Sequence, residues 1–331
     1  MMVSRVFFCL CRISVFLFLL VAALWTCGVV YFCLPGGCWL VYVYMIILAG
    51  GVVFRKYRMV QAGAAVLFAG LAVYYICIPA TNDRPWLPSW SRLPEGRIDG
   101  NRLELKNIRD FRYRTTYDFD VRYVTETYDL DKLVSLDFAV SHWDGLEAIS
   151  HTMLSFGFSD GRYLAVSAET RLASGAGQGA LPGLFKRFGF IYIFAREEDI
   201  WSLRTNYRGE DMYLYRLNTT PEKLKIILTD FIERANRLHA QPEFYNTLTH
   251  NCTTGLMPPL KKVSPVIHYN PTVLLNGFID QRAYRKGALL HREGEGFEEL
   301  KRRSLIPHSL SLEEPELYSR RIREHVGIPV D

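Results

Sequence analysis

Three uncharged apolar runs dominate the start of the chain, at residues 13–34, 38–54 and 59–80, with lengths of 22, 17 and 22. A helix needs roughly 20 apolar residues to cross the hydrocarbon core of a bilayer. The pattern therefore predicts three transmembrane helices within residues 1–80. The period then changes. Residues 149–158 (ISHTMLSFGF) and 162–170 (RYLAVSAET) read as strands joined by Ser159-Asp160-Gly161, a loop with Gly where a left-handed conformation is wanted. Alternation also marks strands at 119–124, 132–140, 188–195 and 211–217, so a mostly antiparallel sheet is expected. Thr220-Pro221-Glu222 opens a helix whose apolar stripe is Leu224, Ile227, Leu228, Phe231, Ala235 and Leu238. A second helix is read at 276–290. The expected fold class is α+β: a three-helix transmembrane region, then a domain with an antiparallel sheet and flanking helices.

Charge adds an orientation. Of 331 residues, 49% are hydrophobic and 22% charged, and the net charge is +5. Residues 1–80 hold no Asp or Glu and five basic residues: Arg5, Arg12, Arg55, Lys56 and Arg58. The other 251 carry 34 Lys and Arg against 34 Asp and Glu, so nothing there favours nucleic acid. Positive residues stay on the cytoplasmic side. Arg5 and Arg12 before the first run, and Arg55–Arg58 between the second and third, predict a cytoplasmic N-terminus and a C-terminal domain outside a bacterial inner membrane. A cleaved first span or a lipidated Cys38 is disfavoured by the flanking sequence. Residues 81–107 read as a juxtamembrane linker, with Trp86 and Trp90 suited to the headgroup layer. The exported domain is placed at 108–305. Residues 306–331 read as a charged tail, and 291–331 as a whole as loosely packed. The glycine-rich stretch 174–183 lacks a phosphate-loop ending and reads as a mobile loop beside the site.

Six of the seven cysteines lie in or beside the apolar runs; the exported domain has only Cys252. A solitary thiol in an oxidising compartment invites a nucleophilic reading, set against an inert buried one. Asn251 is a good N-cap and would put Cys252 at the first helical position, where free N–H groups lower a thiol pKa and can hold an oxyanion. Pro258-Pro259 should limit that helix to a turn or two.

A thiol nucleophile needs a base. If residue 158 pairs with 162, positions across the hairpin sum to 320, and His151 falls opposite Glu169 on the same face. Glu169 could then orient the imidazole. A register slip of one residue would separate them. His250 is too close in sequence to Cys252 to serve, and the remaining histidines are scattered. No zinc spacing is present, and neither a metal nor a cofactor is expected.

The blocks HTMLSFGFSDGRYLAVSAETR, REEDIWSLRTNYRGEDMYLYRL, PEFYNTLTHNCTT and NGFIDQRAYRKGAL occur in order across about residues 110–305. They resemble the bacterial DUF4105 family, the Lnb N-terminal periplasmic domain. The resemblance implies a periplasmic domain with a circularly permuted papain-like (NlpC-type) thiol-enzyme fold. On it Cys252 would be nucleophile, His151 base and Glu169 the orienting group.

The leading expectation is a membrane-anchored cysteine hydrolase or acyltransferase. Its substrate would be an amide, ester or thioester of the envelope: a peptidoglycan peptide, a lipoprotein or a lipid. The rivals are a non-catalytic envelope binding or assembly module, and a glycosidase using Glu169 with Glu197 or Glu198.

Overall fold

The computed structural model describes residues 2–53, 58–143, 145, 147–264 and 276–329. The chain divides into two compact units. The first is Met1–Ala80 together with Gly177–Arg187, so most of the glycine-rich stretch expected beside the site belongs to this unit. It contains helices α1 (Met2–Cys33), α2 (Gly37–Val53) and α3 (Arg58–Cys77). The hydroxyls of Thr26 and Tyr44 meet at 2.7 Å between α1 and α2, and Trp25 packs edge-on against Tyr75 of α3. At the end of α3 the ammonium of Lys186 donates to the carbonyls of Tyr75 and Ile76, which have no partner within the helix.

These helices correct the expected transmembrane region. Among the described residues, no helix is long and apolar enough to cross a membrane. Helix α2 has 17 residues, roughly 25 Å of rise against a hydrocarbon core of about 30 Å. Helix α1 runs unbroken from Met2, so Arg5 and Arg12 belong to the helix instead of preceding it. Helix α3 begins on Arg58, includes Gln61 and ends at Cys77. Most of the Arg55–Arg58 connection used to infer orientation lies outside the described residues.

The second unit is Thr81–Ala176 with Phe188–Asp331. It is built on β1 (Glu95–Asp99), β2 (Arg102–Arg109), β5 (Tyr123–Asp129), β6 (Leu133–His142), β7 (Ser150–Phe158), β8 (Tyr163–Arg171), β9 (Gly189–Ala195) and β10 (Asp211–Arg216). The strand order is β1-β2-β9-β8-β7-β6-β10, with β5 also paired to β2; among the described residues only β2 and β9 run parallel. The α+β expectation stands in this unit. Strands β3 (Arg112–Tyr113) and β4 (Phe119–Asp120) form a separate small hairpin, so the single strand expected at 119–124 is divided between two sheets.

The β7–β8 register is the one the loop predicted. Met153 pairs with Ser167 and Phe156 with Leu164, both summing to 320, and Gly161 has φ +82°. One face of the sheet packs on α5 (Pro221–Ala240) and α6 (Cys252–Lys261), with the Phe231 ring against Phe156 and Tyr192. The other face meets α4 (Glu197–Ser202) and α9 (Pro315–Val326).

The segments expected to be peripheral are part of this body. Residues 81–107 supply β1 and β2 instead of a linker. Trp86 donates to the Asn82 carbonyl, and the Arg171 guanidinium lies over its ring; Trp90 donates to Glu169. Both indoles are engaged within this unit. The segment 291–331, expected to be loosely packed, contains α8 (Phe297–Arg303) and α9, whose Tyr318, Ile322 and Val326 are wholly buried. Arg323 pairs there with Asp137 and Glu197. The helix expected at 276–290 shortens to a 3-10 turn at Asn276–Phe278 and α7 (Ile279–Arg285), ended by Gly287 at φ +67°.

Candidate functional site

Helix α6 begins as its sequence predicts. The Asn251 carboxamide oxygen accepts from the N–H groups of Thr253 and Thr254, at 3.0 and 2.9 Å, and the Thr254 hydroxyl accepts from Asn251 N–H. Cys252 is the first helical residue. The cap that places it also occupies two of the N–H groups near Cys252, those of Thr253 and Thr254. The helix runs for ten residues, longer than Pro258-Pro259 suggested. Pro259 cannot donate to the Gly255 carbonyl, and the Tyr192 hydroxyl does so instead at 2.7 Å. Gly255 allows close seating on the sheet; a Cβ there would lie 2.7 Å from that of Ala168 and 2.9 Å from the Phe190 ring.

The Cys252 sulfur is enclosed. It lies 3.9 Å from the Ser150 carbonyl oxygen and 3.9 Å from the Thr253 hydroxyl, and accepts from the Asn276 amide at 3.6 Å. Asn276 is tied down by bonds with Ser150 N–H, the Ser150 carbonyl and Thr253. Burial pushes the thiol pKa up, and the nearby hydrogen-bond donors only partly oppose it.

His151 faces the other way. Strand side chains alternate. Thr152 meets Thr253 of α6 at 3.2 Å, and Ala168 faces Gly255. Residues 151, 167 and 169 therefore project from the opposite face. The strand backbone lies between sulfur and imidazole, and no hydrogen bond joins them among the described residues. The structure thus brings His151 and Glu169 together and leaves Cys252 apart from both.

On its own face His151 belongs to a buried network. Its Nε2 lies 2.7 Å from the Ser167 hydroxyl, which donates to Glu169 at 3.1 Å. Since the one serine proton goes to the carboxylate, Nε2–H is the donor and Nδ1 keeps its lone pair. Glu169 also accepts from Trp90 at 2.9 Å and Arg204 at 3.2 Å. Burial raises the Glu169 pKa, but Arg204 above all, then His151 and Arg109, outweigh it and hold the carboxyl well below its usual range. Burial first, and then Arg204, push the imidazole down to about 3. His151 is therefore neutral at physiological pH, and its 3.7 Å approach to Glu169 is not an ion pair there.

That shift gives a pH dependence with a definite sign. An unfolded imidazole titrates near 6.5 and the folded one at about 3. The unfolded chain binds the extra proton between these values, so stability falls as pH drops through that window, by at most about 1.4 kcal/mol per pH unit. Glu169 adds to the loss as pH falls below the normal carboxyl range. Acid unfolding of a His151→Asn variant is expected to show a shallower slope between pH 6.5 and 4 than wild type.

Sequence parity could have found Ser167, which shares the face of Glu169. Arg204 was missed because it sits on a π-helical turn, Leu203–Tyr207, closed by a bond from Arg208 N–H to the Leu203 carbonyl. No period in the sequence signals such a turn, which is common at functional positions. The carboxylate pair of the glycosidase expectation is likewise not assembled. Glu197 is committed to Arg323 and Ser155, Glu169 to Arg204 and Trp90, while Glu198 lines a separate cleft.

The class defined here is an α+β domain with a mainly antiparallel sheet, a thiol-bearing helix on one face and a polar network on the other. A family model described as the Lnb N-terminal periplasmic domain matches residues 119–281, from β4 into α7, and that segment belongs to this family. The matched segment, about half of the chain, fits a periplasmic domain and includes Cys252, His151 and Glu169. No curated protein and no solved structure matches the chain, so the papain-like fold has no structural counterpart in support of it.

Proposed function

We propose that this chain acts in the periplasm as an envelope binding or assembly module, with Cys252 a structural thiol and His151 part of a fixed polar scaffold. The observation that carries this reading is the central sheet between sulfur and imidazole. Three others agree with it: the thiol is buried, its pKa is raised, and two of the N-terminal N–H groups of α6, those of Thr253 and Thr254, are taken by Asn251. A nucleophilic thiol needs the reverse of each.

A second reading keeps the cysteine hydrolase or acyltransferase. The relay from Glu169 through Ser167 leaves Nδ1 as the acceptor, the state a general base requires. On this reading the start of β7 has to rearrange before Cys252 and His151 meet. The substrate would remain an amide, ester or thioester of a peptidoglycan peptide, lipoprotein or lipid.

Complementation separates the two. In a strain whose envelope phenotype depends on this protein, Cys252→Ser is expected to complement as wild type does. A folded Cys252→Ser protein that behaves like the deletion would support the thiol enzyme and overturn the module.

A further inference from the structure

The glycine-rich connection between β8 and β9 ends in a structured tip. Arg171 pairs with Gly189 at its base, so residues 172–188 leave the sheet and return to the same place. Gly175, at φ +77°, turns the outgoing arm. The tip is organised by its own backbone. Pro182–Leu184 form a 3-10 turn, in which the N–H groups of Leu184 and Phe185 donate to the carbonyls of Leu181 and Pro182.

Residues 184–186 are matched group by group within the helical unit. The Phe185 ring is buried and stacks on Phe32 of α1, with centroids 5.2 Å apart. The Phe185 carbonyl accepts from the Cys33 thiol at 3.2 Å, and the Leu184 carbonyl accepts from the Tyr75 hydroxyl at 3.0 Å. The Lys186 ammonium donates to the carbonyls of Tyr75, Ile76 and Ile78 at 2.7, 3.0 and 3.2 Å, and lies 4.9 Å from the centre of the Tyr75 ring. These carbonyls lie at the C-terminal end of α3, where the helix dipole favours a cation. The Lys186 backbone sits at φ +53°, which a residue with a side chain adopts only at a cost, and these bonds hold it there.

Gly28 is an independent sign from the helix side. It lies inside α1, where glycine is a poorer helix former than alanine. A Cβ there would lie 2.0 Å from Cζ of Phe185 and 2.4 Å from its Cε1. The helix carries no side chain at the place where the ring sits. Connectivity supplies the consequence. The chain passes between the two units at Ala80–Thr81, and again on each side of Gly177–Arg187. We propose that residues 184–186 are an anchor by which the sheet-bearing part of the chain binds residues 1–80 non-covalently, so that the helical unit stays attached when the chain is cut between Ala80 and Thr81. The anchor goes beyond the binding-module reading and does not depend on it.

The test uses the full-length chain with a C-terminal affinity tag and a site-specific protease sequence inserted between Ala80 and Thr81. After complete cleavage on the resin, the amount of the N-terminal fragment retained is followed through a dilution series. Most of the fragment is expected to stay bound in the otherwise unaltered protein. Phe185→Ala, which removes the ring, should weaken retention by roughly tenfold or more, as loss of a large buried aromatic group does. Gly28→Leu attacks the same contact from the other side and should weaken it as much. Leucine is a better helix former than glycine, so a loss in that variant is not loss of α1, and circular dichroism before cleavage checks this. Tyr75→Phe keeps its ring, gives up one hydrogen bond and should show a smaller loss. Release of the fragment from the unaltered protein on the first wash overturns the anchor. So does retention that is the same in the unaltered protein, Phe185→Ala and Gly28→Leu.

Discussion

Replacing Arg323 with methionine is expected to destabilise the sheet unit by about 3–5 kcal/mol. Arg323, Asp137 and Glu197 are all fully buried. The guanidinium donates to Asp137 at 2.7 Å and to both oxygens of Glu197 at 2.9 and 2.8 Å, and lies 3.4 Å over the Tyr163 ring. Burial raises the Asp137 pKa even beside Arg323 and Arg216, so the pocket tolerates the charge only because these cations are present. In the variant Asp137 keeps Arg216, but Glu197 retains only the Ser155 hydroxyl. A buried carboxylate without its cation is the expensive state. Adding Glu197→Gln to the variant should recover part of the loss. Urea unfolding followed by tryptophan fluorescence, with Trp201 buried beside this cluster, reads both effects. A loss below about 1 kcal/mol would mean that the C-terminal helix is not the anchor described here.

Arg204→Met is expected to cost a comparable amount, about 3 kcal/mol, and also to retune His151. Arg204 is the strongest cause holding Glu169 ionised and the second cause, after burial, holding the imidazole neutral. Without it both groups should titrate at higher pH. The two changes have different readouts: denaturant stability for the first, and the chemical shift of the His151 Cε1 proton against pH for the second. A purely structural role for Arg204 would lower stability and leave the His151 titration at about 3.

Much of the sheet was legible in the chain because alternation and turn chemistry act locally. The loop Ser159-Asp160-Gly161 set the β7–β8 register, and with it the meeting of His151 and Glu169. The capped start of α6 was legible for the same reason, since Asn251 and Thr254 are three residues apart. The face on which α6 packs was not. It depends on Gly255 fitting against Ala168 and on Tyr192 reaching the carbonyl freed by Pro259, contacts between residues 60 to 90 positions apart. The C-terminal segment misled for a related reason. Its charges suggest a solvated tail, yet Arg323 finds its partners 186 and 126 positions earlier. The N-terminal runs were read from hydropathy and charge, which do not register where the helices end: α1 already includes Arg5 and Arg12, and α3 stops at Cys77, short of the end of its apolar run.

The central claim is the separation of the Cys252 sulfur from the His151 ring. The most direct test is the rate of Cys252 alkylation by iodoacetamide in the native full-length chain, resolved from the other cysteines by peptide mass spectrometry and measured from pH 5 to 9. The account predicts slow alkylation that rises only toward alkaline pH and is unchanged by His151→Ala. Fast alkylation with a plateau on the acid side, abolished by His151→Ala, would contradict it and establish a thiolate–imidazolium pair.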